Sequence, residues 1–209
     1  MLTLIDREIR DNSLCVALPC LIGIGIIGFA IFVAFYATMG SSEILLASSG
    51  ILMPVLLVGF CGLGASQMYS DRANRISSLL ATQGVTRSRI LAARVLVGVG
   101  TVLASLVPPA VTILILLWAF LPPLSFYGRM VVEIFTVAIL AGVAGYCVGL
   151  LVSWTTSKAW LVMGNLLLLS LVTSLVWIKG FGPDVMAILL LFIVAALTRV
   201  WHVYTSASL

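Results

Sequence analysis

Residues 70–120 read SDRANRISSLLATQGVTRSRILAARVLVGVGTVLASLVPPAVTILILLWAF, and the change of character along that stretch decides the fold. Its first 25 residues carry Arg72, Arg75, Arg87, Arg89 and Arg94, five of the eleven Lys and Arg in the chain; the following 26 carry no charge. An uncharged apolar run of about 20 residues is the length that crosses about 30 Å of hydrocarbon. The second part therefore reads as a membrane span, and the first as a polar connection leading into it. What topology alone does not explain is the apolar ISSLL, residues 76–80, in the middle of the charged part.

The rest of the chain agrees with the span. Of 209 residues, 62% are hydrophobic and 9% charged, against roughly 25% charged in soluble domains. Six hydrophobic segments stand out, at about 14–39, 48–68, 93–121, 130–152, 159–178 and 185–201, with short connections between them. Lipid offers no hydrogen-bond partner to a bare backbone, so such segments are helices or strands of a closed barrel. They are continuously apolar and lack the alternation of barrel strands. The expected fold is therefore an all-α membrane protein with six transmembrane helices in a single domain, 1–209.

Lys and Arg set the orientation, because they are retained on the cytoplasmic side. Counted connection by connection, one side collects nine (Arg7, Arg10, the five above, Lys158 and Arg199) and the other two, Arg129 and Lys179. Both termini and the 70–94 loop are thus expected in the cytoplasm, and the protein in the cell (inner) membrane. The net charge of +4 then reports topology rather than a nucleic-acid partner. Leading into the first span, MLTLIDREIRDNS mixes three acids with two arginines, and the apolar run behind it is too long for a signal peptide, so the first span is read as retained. Ahead of that span, Leu2, Ile5 and Ile9 recur at i, i+3 and i+7, which suits a short helix over 2–12 in the membrane interface, with a disordered tail as the alternative.

Within the spans, Pro54 and the tandem Pro108-Pro109 remove backbone donors and are expected to kink their helices. GIGIIG (23–28), GFCGLGAS (59–66) and GVAGYCVG (142–149) concentrate small residues, which let helix backbones approach closely in lipid, within one subunit or between two. Cys15, Cys20, Cys61 and Cys147 lie in apolar segments without a C-x-x-C pair and read as packing residues.

In the polar connection, Ser70 or Asp71 can cap a helix whose Ile76, Leu79 and Leu80 fall at i, i+3 and i+4, and Gly84 can end it. Thr86 can cap a second helix that begins at Arg87 and runs straight into the third span. The short helix has two readings. It can slot into a groove of a soluble partner, or lay its leucines on lipid with its arginines on anionic head groups.

The interfacial LIDREIRDN, six spans, and the pattern R-x-x-R-I-x-x-L-L-x-x-x-G-V-x-R-x-x-I-L-x-x-R between spans two and three resemble permease subunits of the ABC transporter family, type 2. The resemblance covers nearly the whole chain as a layout and a loose pattern. It implies that the segment is a coupling helix docking into a cytoplasmic ATP-binding subunit, with Ile76, Leu79, Leu80, Gly84, Val85 and Arg87 at the contact and Arg72 and Arg75 leading into it. It further implies a homodimer or heterodimer with the transport path between subunits, export as the direction, and ATP and Mg bound by the partner rather than by this chain. Such permeases carry re-entrant helices between spans five and six, where this chain has only KGFGPD, so the fifth span breaks near Ser170–Ser174 or that gate is reduced. The short length is also similar to the membrane subunit of cytochrome c maturation haem exporters.

The chain contains no G-x-x-x-x-G-K-[ST], so it has no phosphate-cradling loop of its own and is not expected to be an enzyme by itself. An intramembrane protease would have to use Ser66 and His202, and the sequence around Ser66 is not G-x-S-x-G. An ion-coupled carrier or channel would place ionisable groups near the midplane. Only Glu133, one turn after Arg129, comes close; the two are candidates for the outer mouth, or simply a local ion pair. The expected function is an ATP-coupled permease, probed against two alternatives, an ion-coupled transporter or channel and a non-catalytic membrane scaffold. Apolar walls favour a lipidic or amphiphilic substrate.

Overall fold

The structure, a computed structural model, describes residues 9–10, 13–36, 57–68, 86–120, 125–153, 163–164, 167, 170–171, 174, 178–179 and 182–206. Among these the chain is all-helical. The helices are α1 (Ser13–Tyr36), α2 (Leu57–Met68), α3 (Arg87–Phe120), α4 (Ser125–Val152) and α5 (Pro183–Ser206), and the described positions of 163–179 are helical too. Three of these helices are long and apolar enough to cross a membrane, over Ser88–Leu116, Val132–Val152 and Pro183–Ser206. The expected interfacial helix is represented by Ile9 and Arg10, which are helical and exposed; the remainder of 2–12, Pro54 and the segment 70–85 lie outside the described residues.

The helices begin and end for identifiable reasons. α3 starts after Thr86, as expected, with the Thr86 carbonyl accepting from the N–H groups of Arg89 (3.0 Å) and Ile90 (3.3 Å). At 34 residues it is about 50 Å long, more than hydrocarbon alone requires. α5 runs past the expected end at 201 to Ser206, because Val185, Leu189, Ile193, Ala196, Val200 and Tyr204 form one continuous buried stripe. Its last turn uses Thr205 and Ser206 hydroxyls to cap the carbonyls of Trp201 (2.9 Å) and His202 (2.7 Å). Opposite that stripe, Leu190, Leu191 and Val194 are exposed, which is how an apolar helix faces lipid. Pro19, which the sequence reading did not single out, lies inside α1 with its side chain buried.

α3 is central, packing against α1, α4 and α5, while α4 also packs on α5. Four contacts fix the register of α2, α3 and α4. A Cβ on Gly142 would stand 3.0 Å from Val102 Cγ1 and 3.1 Å from a ring carbon of Phe60. One turn further along α4, the Tyr146 ring lies on Gly98 and its carbonyl on Gly64. Progress along α4 therefore runs forward along α2 and backward along α3, so α2 and α4 are parallel and α3 runs opposite to both. At the α2–α4 crossing Gly64 and Gly149 face each other's helix backbones, Gly149 against the Cys61 carbonyl. All three small-residue stretches thus supply contacts within one subunit, Gly23 of GIGIIG meeting the Ser105 carbonyl of α3. Gly25 and Gly28, like Gly59 and Gly62 of GFCGLGAS, face open space.

These crossings predict opposite responses to one added methyl group. Gly149→Ala should lower stability by about 1–3 kcal/mol through overpacking. Gly25→Ala, with nothing within 4 Å, should leave it unchanged or raise it by up to about 1 kcal/mol through helix propensity. Thermal unfolding of the two variants in detergent decides between these outcomes.

Candidate functional site

The polar connection joins the end of α2 to the start of α3, and at those two ends the structure gathers buried polar groups. Gln67, on the last turn of α2, is 1% exposed, and Arg94, two turns into α3, is 2% exposed. Tyr146, from the GVAGYCVG stretch of α4, is fully buried between them. Its hydroxyl donates to Gln67 Oε1 at 2.7 Å and faces the Arg94 carbonyl at 3.0 Å. Arg94 Nη1 in turn donates to Met68 Sδ at 3.7 Å.

The hydroxyl has one proton for two acceptors, while Gln67 Nε2 has no acceptor among the described residues. Turning the amide end for end would let Nε2 donate to the phenol oxygen and free the phenol proton for the Arg94 carbonyl. Either arrangement ties the same three groups. A helical carbonyl is normally shielded by the side chain four residues on, and here that residue is Gly98. Its missing side chain makes room for the phenol ring, which a Cβ would overlap, and opens the Arg94 carbonyl to a donor from outside α3.

Arg94 departs from the sequence reading. Counted among the loop arginines, it is instead buried in the bundle, because the end of α2 packs beside this turn of α3 and sets Met68 against it. Of the other docking candidates, Arg87 is the first residue of α3, and Arg72, Arg75, Ile76, Leu79, Leu80, Gly84 and Val85 lie outside the described residues. Tyr146 and Gln67 were not anticipated. The available signal was an aromatic among glycines and an amide within an apolar run, and neither identifies its partner.

Pro108 and Pro109 lie inside α3, which is helical on both sides of them. Pro109 has no N–H for the carbonyl of Ser105 four residues back, and that carbonyl is the one Gly23 of α1 approaches. Arg129 Nε donates to Glu133 Oε1 at 3.0 Å, with 84% and 37% of the side chains exposed, so the local ion pair is formed. Ser66 donates to the Leu63 carbonyl of its own helix at 2.9 Å, and His202 is exposed on α5. Ser170, Leu171 and Ser174 are helical positions in the fifth segment. Cys20, Cys61 and Cys147 are free thiols.

The solvated Arg129–Glu133 pair predicts a small effect. Arg129→Ala should change unfolding stability by less than about 0.5 kcal/mol, and a larger loss in detergent would indicate a further contact of this arginine. No protein-family model, curated protein or solved structure matches the chain.

Proposed function

We propose that the chain is the membrane-spanning permease subunit of an ATP-driven transporter of the ABC type, an exporter of a lipidic or amphiphilic substrate that dimerises and couples to a separate cytoplasmic ATP-binding subunit. The observation that carries this reading is the unbroken α3 helix from Arg87 to Phe120. It joins the segment with the coupling-helix pattern to the middle of the bundle without a hinge at the membrane surface. In this reading six spans cross the cell membrane with both termini in the cytoplasm. Closure of the partner on ATP pushes the 76–85 helix, and α3 carries the movement inward to Pro108-Pro109, where two helical hydrogen bonds are missing.

The exposed side chains support an amphiphilic rather than an ionic cargo. Leu96, Leu103, Val107, Val111 and Ile115 form an apolar outward face along α3. Glu133, the acid that an ion-coupled carrier would call on, is paired with Arg129 on the surface.

Leu79→Glu combined with Leu80→Glu should abolish co-purification of a co-expressed P-loop ATPase while membrane insertion is retained; unchanged co-purification would sink the docking reading. In a variant without the native cysteines, an impermeant maleimide applied to intact cells should label Arg129→Cys and spare Thr86→Cys. The reverse pattern would overturn the orientation.

A further inference from the structure

We propose that Tyr146 is a positioning residue that locks the two ends of the 69–85 segment to each other and to α4, so that α2, α3 and α4 move as one body when that segment is displaced. Gln67 stands at the end of α2 from which the segment leaves, and Arg94 stands on α3, where it returns. The phenol of Tyr146 reaches both, across sequence separations of 79 and 52 residues.

The geometry favours a device over mere filling of space. Phenylalanine would fill the same volume, and a hydroxyl buried among apolar helices costs free energy unless it is bonded. Two features of the packing admit the bond. Gly98 removes the side chain that would cover the Arg94 carbonyl and occupy the position of the ring. Gly64 and Gly149 bring the α2 and α4 backbones close enough for the phenol to pass from α4 to Gln67. The close apolar contacts hold the helices together and set their register. A directional hydrogen bond in low dielectric adds its own resistance to rotation and sliding.

The same hydroxyl therefore fixes the rotation of α3 against α2 at the point where a push on the segment arrives. Its use in coupling rests on the transporter reading; the lock itself rests on the geometry alone. The two can fail separately.

The test uses the full-length chain in lipid nanodiscs, with hydrogen–deuterium exchange read by mass spectrometry. Tyr146→Phe keeps the ring and should fold. It should accelerate amide exchange roughly tenfold at the end of α2 and the start of α3, the loss expected for one buried hydrogen bond, and leave α5 unchanged. Gln67→Leu, which removes one leg of the bridge, should give a smaller acceleration in the same peptides. Unchanged exchange at 64–68 and 86–94, or a uniform acceleration over all helices, would overturn the proposal. With the ATP-binding subunit present, Tyr146→Phe should retain ATP hydrolysis while transport per ATP falls severalfold, and an unchanged ratio would overturn the coupling role. If the wild-type chain pairs with no ATPase, the transporter reading fails and the exchange pattern still decides the lock.

Discussion

Helix backbones in lipid come together only where side chains make way for them, and this bundle depends on that constraint. The hydrophobic effect that drives soluble helices together is absent when the surroundings are as apolar as leucine, so close packing and polar contacts take its place. Here α3 carries two openings. Gly98 exposes the carbonyl of Arg94, and Pro109 leaves the carbonyl of Ser105 without its helical donor. Each opening is met by a neighbour, the first by the Tyr146 hydroxyl of α4 and the second by the Gly23 backbone of α1. Two residues usually regarded as helix defects thus become the places where α3 is held.

Among the described residues, the buried Ser and Thr side chains follow the opposite rule. Thr101 donates to the Val97 carbonyl at 2.8 Å, Ser105 to Val102 at 3.0 Å and Ser153 to Leu150 at 2.8 Å, each within one turn of its own helix. Such bonds satisfy a hydroxyl without linking helices. Against that background the Tyr146 bridge differs in kind, since among the described residues it joins polar groups of three helices. It also sits at the end of the bundle where the charged segment leaves and returns, which gives it a mechanical position the local bonds lack.

Composition and run length made the membrane class and the helical fold legible, because lipid imposes them on any chain this apolar. The start of α3 was legible as well, since Thr86 at the edge of a periodic apolar run is a local signal and local hydrogen bonding decides it. GFCGLGAS and GVAGYCVG could be read as packing surfaces, but which helix each would meet could not. Arg94 shows the limit most clearly. A count by connection places it with the loop, and only the packing of Met68 against it places it inside.

What the sequence by itself determined was therefore set by short-range or averaged properties: hydropathy over a span length, a cap, a proline without a donor, an i,i+4 pair such as Arg129 and Glu133. What the tertiary structure alone decided was the pairing of distant positions, Gly64 with Gly149, Gly23 with Ser105, and Tyr146 with Gln67 and Arg94. The physical reason is that a glycine or a buried hydroxyl declares a capacity for contact but not its partner. The partner follows from the relative depth and rotation of whole helices, which many weak contacts fix together and no local stretch of sequence encodes.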